Sequence, residues 1–460
     1  MPAQNKNENT NTLTGITGSI ANVQWRAISM EDLRRHPQYE ALPLPSEVEL
    51  QSEQDYALFR QDSVEWDLLH AGRLTTSKAA ACMGLYEAHS VKTLGIPKGL
   101  ESHSRALSAW RQLGSEPMTL ADMQAYVVAH IYPAGPDGTA AGRQKKKKKK
   151  KKTKTPKTHT DTGSSELEGE GPWRAYTTRD VTDEAETEAE AEAAPMFAKE
   201  YAPAPRKRSK AYSNGHSHSS RARLAWGSAQ EATAVLAAVN YMHRIETALG
   251  TEWCNGGSFA VREVGLLPLE AIDVAATHPE AATWFASGEL PLMGASPDGL
   301  MLNSTSGEIQ VLEVKCSSPF VSDGGSGDGR AAAMRVVDSP GEAGVGVWHV
   351  PQLQLEMLCA GPQCRAAALV SLSALQGATL YQVPRDDAYI GLMLSWLRKF
   401  HITYNVLHNG PPPANFFKSS PGYDDLLDQT RRIALGAKVI YGMPQAEVQR
   451  DTVNNDFFFF

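Results

Sequence analysis

"GASPDGL", residues 294–300, and "LEVKC", residues 312–316, place an aspartate after Ser-Pro and then a glutamate and a lysine two apart in an apolar run. Side chains alternate along a strand, so Glu313 and Lys315 share one face while Val311, Leu312 and Val314 supply an apolar frame. Charges in such a frame are costly unless paired or bound to a metal. A hairpin between 292–302 and 309–316 would set Asp298 opposite Glu313. Two carboxylates and a backbone carbonyl in one cleft make a hard-oxygen site suited to Mg²⁺ or Mn²⁺. A cation there would also relieve the repulsion that otherwise raises both carboxyl pKa values. Lys315 can orient or deprotonate a water and stabilise charge growing on a phosphate. Taken singly, Asp-Gly is a common turn and Glu-x-Lys an ordinary solvated ion pair. Their succession in an otherwise apolar strand is the signal.

The 460 residues can build one large domain or two, and a hydrophobic fraction of 42% supports a packed core. A net charge of −7 argues against a uniformly basic nucleic-acid coat while allowing a local basic groove. The five cysteines (82, 254, 316, 359 and 364) are odd in number and contain no CxxC pair, so neither a disulfide framework nor a zinc knuckle is expected. The N-terminus lacks the features of a secretory signal, and no apolar run approaches the roughly 20 residues that span a bilayer. The chain reads as soluble and intracellular, with no membrane partner.

Residues 1–55 read as a flexible lead-in, and 56–133 as a helical part of the main domain. Helices are expected to end near His70, to restart at Thr75 to Ser77, and to run from Ser102 and over 119–131. Residues 134–222 hold eight consecutive lysines (Lys145 to Lys152), an acidic tract at 183–194 and "PRKRSK" at 205–210. Like-charge blocks of this kind repel themselves and have nothing to bury, so a long disordered insertion is expected. Its basic clusters weakly suggest a nuclear address or a nucleic-acid contact, against a merely tolerated expansion. The core is placed at 223–408: a helix over 224–245, strands at 258–264, 292–302, 309–316, 366–373 and 378–383, a helix from Pro351 and another over 386–407. A glycine-rich loop at 322–346 interrupts it, and 409–460 is a C-terminal extension ending in "DFFFF", for which there is no physical account. The fold class is α/β (α+β), a mixed central sheet flanked by helices.

The Asp298, Glu313, Lys315 pattern resembles the P-D…(D/E)-x-K signature of the restriction-endonuclease-like nucleases, and within them the YqaJ viral recombinase family of lambda-exonuclease-like enzymes. Four further stretches are similar to that family's motifs in the same order: "HAGRLTTSKAAACMG" (70–84), "AWGSAQEATA" (225–234), "VPQLQLEMLCAG" (350–361) and "RDDAYIGLMLSWLRKF" (385–400). The resemblance covers about 62–130 and 223–408, more than half of the chain. It implies a restriction-endonuclease-like fold in which Asp298, Glu313 and the Val314 carbonyl hold Mg²⁺ (or Mn²⁺), with Glu231 completing the metal site. It makes Lys315 the catalytic lysine and brings Gln352 to the nucleophilic water or the scissile phosphate. Arg73, Ser77 and Gln354 would bind DNA phosphate, in exonucleases the terminal 5′ one; an arginine fork suits that contact.

Each reading has a plainer rival. Ser228 to Glu231 is a well-formed capping box, Gln352 sits at an ordinary helix start, Arg73 alone is a solvated loop cation, and His349 reads as packing. The implied function is metal-dependent DNA hydrolysis, exonucleolytic from 5′ ends in recombination or repair, in a possible homo-oligomer with a possible recombination partner protein. The alternatives are a catalytically idle DNA-binding scaffold, or an interaction protein working through its charged insertion.

Overall fold

The computed structural model describes residues 27–130, 218–249, 259–303, 307–322, 334–336 and 344–448. In chain order, α1 (Met30–Leu33), β1 (Tyr39–Glu40), α2 (Val64–Leu69), β2 (Leu74–Thr75), α3 (Thr76–Cys82), α4 (Ala88–Leu94), α5 (His103–Leu113) and α6 (Leu120–His130) form the first part. The long α7 (His218–Leu249) leads to β3 (Phe259–Arg262), β4 (Leu267–Pro268), α8 (Ala271–Thr277), α9 (Pro279–Ala286), β5 (Met293–Ala295), β6 (Gly299–Asn303) and β7 (Ile309–Ser317). Then come β8 (Phe320–Ser322), β9 (Met334–Val336), α10 (Val350–Cys359), β10 (Cys364–Ser373), β11 (Gly377–Pro384), α11 (Asp387–His401), α12 (Tyr423–Gly436) and β12 (Lys438–Met443).

The molecule is mixed α/β, with a seven-stranded sheet in the order β1-β3-β6-β7-β10-β11-β12 flanked by helices. β7 pairs antiparallel with β6 and parallel with β10, so the strand carrying Glu313 and Lys315 lies at the centre of a mixed sheet. The period of two holds along it. Leu312 and Val314 pack into the core shared with α7, whereas Val311 joins the core beneath α10, α11 and α12. Glu313 therefore rises on the α10 face. Among the described residues no helix is long and apolar enough to cross a membrane.

Three expected boundaries move. The lead-in over 1–55 is built into the fold from residue 27 onward: β1 adds a parallel edge strand to β3 (Tyr39↔Val261), and Leu33 and Tyr39 are buried against α7. A capping box holds α1, with Ser29 and Asp32 each receiving the other's backbone N–H. Elements of two to four residues are too short to leave a hydrophobic period, so nothing marked them. The C-terminal part likewise belongs to the core, because β12 pairs with β11 and closes the other edge of the sheet.

The expected strand 292–302 is two strands in two sheets. β5 joins a small sheet with β2 and β4, and β6 joins the large one. Between them lies Ser296-Pro297-Asp298, where proline has no N–H to give a ladder. The insertion expected over 134–222 lies outside the described residues except where α7 already begins at His218. Most of the glycine-rich loop and the "DFFFF" tail also lie outside them.

Candidate active site

The Ser-Pro-Asp break is pinned from outside. Gln61 Nε2 donates to the Pro297 carbonyl (2.7 Å) and to that of Val264 (3.0 Å), and Trp66 Nε1 donates to Ser296 Oγ (2.9 Å). β6 begins at Gly299, opposite Leu312, so β7 has no ladder partner on that side beyond this point. Asp298 supplies one: its Oδ2 accepts the Val314 N–H at 2.7 Å. The hairpin is confined to β6 and β7, and it brings Asp298 against the backbone N–H that follows Glu313. Gly299 is required here for closeness, since a Cβ would lie 2.9 Å from Val261 Cγ1.

Glu313 is 4% exposed. Its Oε1 accepts from Lys315 Nζ at 2.7 Å and from Gln352 Nε2 at 2.6 Å. Burial alone would lower the Lys315 pKa, but Glu313 and Asp298, with Glu356 behind them, outweigh it and hold the ammonium above the usual lysine range. A lysine so held donates hydrogen bonds and offsets the negative charge of the carboxylates around it.

α10 brings a residue that carried no expectation. Gln352 and Glu356 stand one turn apart on the same helix face. Gln352 Nε2 also reaches Glu356 Oε1 at 2.9 Å, and Thr76 Oγ1, at the start of α3, donates to that same oxygen at 3.1 Å. Glu356 is fully buried, and its Oε2 has no hydrogen-bond partner. Burial first, and then the charge of Glu313, push its carboxyl well above the usual carboxylate range. The i+4 spacing from Gln352 was its one mark in the sequence, and an ordinary helix carries many such pairs.

These groups border a cleft of about 510 Å³, in the range of small-ligand sites. Asp298, Glu313, Lys315, Gln352, Ser77 and Glu231 all line it. Burial first, and then the charges of Glu231 and Asp298 together, push the Cys316 thiol well above its usual value, so the two carboxylates act on one neighbourhood. Gly227, one turn before Glu231, also lines the cleft, and a Cβ there would meet nothing within 4 Å. A glycine in a helix interior costs about 1 kcal/mol, and no packing demands this one.

Two expected phosphate ligands lie elsewhere. Arg73 is 2% exposed and turned inward: Nη1 donates to the carbonyls of Leu69 (3.2 Å) and Met118 (3.3 Å), Nη2 pairs with Glu53 (3.5 Å), and the guanidinium sits over the Tyr56 ring. It clamps the end of α2 to the segments around it. Gln354 is fully buried on the far face of α10, donating to the Pro384 carbonyl (2.9 Å) and accepting from the Asp386 N–H (2.9 Å). The cleft has two other arginines instead, Arg105 and Arg223. Arg105 of α5 lies over the Tyr86 ring at 4.4 Å, and both residues line the cavity.

The donor set fits a hard divalent cation. Among the described residues no group of three or more His, Cys, Asp or Glu side chains converges as a metal cage. Mg²⁺ does not require one: it is usually held by one or two carboxylates with waters. Compared with known families, curated proteins and solved structures, the chain has no match to a family model, to a curated protein or to a solved structure.

Proposed function

We propose that the chain is a divalent-metal-dependent deoxyribonuclease with a restriction-endonuclease-like core, similar to the YqaJ viral recombinases and acting on 5′ ends in recombination or repair. One observation carries this reading. Glu231 of α7, Asp298 of the Ser-Pro-Asp break, Glu313 and Lys315 of β7 and Gln352 of α10 border a single cleft. Asp298, Glu313 and the Val314 carbonyl would hold Mg²⁺, with Glu231 next to them. Both hydrogen bonds to Glu313 fall on Oε1, so Oε2 is the oxygen suited to a cation. When bound, the metal supplies Lewis acidity toward a phosphate oxygen and a lowered pKa for water.

The chain's own residues do the rest. Lys315, held as an ammonium, offsets charge that grows on the phosphate. Gln352 contacts the attacking water. Arg105 and Ser77 receive a neighbouring phosphate, the role that the buried Arg73 cannot fill.

The test is incubation of linear, nicked and closed circular duplex with Mg²⁺ or with excess EDTA, using the wild type and Asp298→Ala. The expected result is cleavage of linear DNA with Mg²⁺ only, faster on 5′-phosphorylated ends, and none by the variant. Cleavage in EDTA, or a fully active Asp298→Ala, contradicts the proposal. Efficient cutting of closed circles would remove its end-directed part alone.

A further inference from the structure

We infer that Glu356 is a positioning residue that locks the Gln352 side chain with its carbonyl oxygen, not its N–H groups, facing the cleft. An amide nitrogen has two hydrogens. Here one points at Glu313 Oε1 (2.6 Å) and the other at Glu356 Oε1 (2.9 Å). The orientation of an amide follows from its partners, and these two leave little choice. Glu313 is paired to Lys315 and so remains an acceptor. Both Thr76 and Gln352 fall on Glu356 Oε1 while Oε2 has no partner, so any proton the carboxyl keeps belongs on Oε2 and Oε1 remains an acceptor. Turning the amide over would set its oxygen against two carboxyl oxygens.

With both hydrogens engaged, the polar atom that Gln352 has left for the cleft is its carbonyl oxygen. That oxygen can accept from a water and thereby aim the water's lone pair. It cannot donate to a phosphate oxygen, which it would repel. Resting on the nuclease reading, this assigns Gln352 to the attacking water and not to the scissile phosphate. It also accounts for a wholly buried acid on α10, one oxygen of which has no partner, where an apolar residue would cost less.

Two measurements test this. The first is the ¹H–¹⁵N side-chain amide spectrum of the protein without DNA, with the Gln352 pair identified by its loss in Gln352→Ala. Both protons should be shifted downfield and slow to exchange, and in Glu356→Ala one of them should revert. Wild-type protons exchanging like those of a free amide overturn the inference.

The second is a kcat and KM comparison on linear duplex. Glu356→Ala should lower kcat about ten- to hundredfold with KM unchanged. Glu356→Gln can still offer a carbonyl to Gln352 and Thr76, so it should stay within about threefold of wild type. The double variant with Gln352→Ala should be no worse than Gln352→Ala alone, as expected for residues acting as a unit. A folded Glu356→Ala with wild-type kcat, or losses that multiply in the double variant, overturns the inference. If the wild type cuts no DNA the nuclease reading fails, while the amide spectrum still decides whether Glu356 holds Gln352.

Discussion

Glu263 and Glu313 are two glutamates with the same 4% exposure, each bonded to a cation. Around Glu263, Arg34 donates from Nε and Nη2 at 2.6–3.2 Å and the Leu42 N–H adds a third donor group at 3.0 Å. The result ties the N-terminal segment to the end of β3. Around Glu313 the donors are one lysine and one amide. Behind that amide stands a second buried acid with an unpartnered oxygen, and in front of it a cleft with two more carboxylates. Burial and ion pairing are therefore common to a clamp and to a candidate active site. What separates them is incomplete satisfaction next to open volume, the arrangement in which a ligand can improve the electrostatics.

The sharpest way to break that contrast is Lys315→Ala. If Lys315 stabilises charge on the substrate, turnover should fall about a hundred- to thousandfold, the usual cost of removing one preorganised donor. Mg²⁺ binding measured by calorimetry should persist, because the lysine is not a ligand. A variant that unfolds would make the Glu313–Lys315 pair a clamp like Glu263–Arg34.

Arg73→Ala probes the other side of the comparison. The side chain is buried and makes two carbonyl contacts, an ion pair and an aromatic contact, all outside the cleft. Its loss should cost about 3 kcal/mol in stability, read from denaturant unfolding, through lost hydrogen bonds and a cavity. The cleavage rate per folded molecule should be unchanged. A stable variant that has lost its preference for 5′-phosphorylated ends would return Arg73 to the substrate.

The smallest effect concerns Glu356 and pH. Its folded pKa is raised by burial and by Glu313, so between the ordinary glutamate value, about 4.3, and that raised value the folded chain holds a proton that the unfolded chain has released. Stability then falls as pH rises through this window, by at most about 1.4 kcal/mol per pH unit from this group. Glu356→Gln removes that dependence, so its urea midpoints from pH 5 to 8 should decline less steeply than those of the wild type. Parallel curves would show that Glu356 titrates normally.

Much of the site was legible in the sequence, because Asp298, Glu313 and Lys315 are local to one strand pair and a period of two fixes which of them share a face. The central strands β7, β10 and β11 and helix α10 were legible for the same reason. What was not legible depends on direction and distance. Arg73 shows its charge in the sequence but not that the turn at Gly72 sends it inward. Gln352 and Gln354 read as a pair, yet on a helix two residues apart means nearly opposite faces, and the structure separates them into cleft and core. Glu356 is four residues from Gln352, but its other bonded partner, Thr76, is 280 positions away in the chain. Pro297 could have divided the strand 292–302 beforehand, since its missing N–H was visible; the joining of β1 to β3 across some 220 residues could not.

The most direct test sets the two buried glutamates against each other. Glu313→Gln and Glu263→Gln are assayed on linear duplex with Mg²⁺, with each rate divided by the folded fraction measured in the same buffer. Glu313→Gln is expected to stay folded and to lose cleavage, and Glu263→Gln to lose stability while each folded molecule still cuts at the wild-type rate. If both variants lose activity only in proportion to the protein that has unfolded, Glu313 is another clamp and the cleft is not an active site.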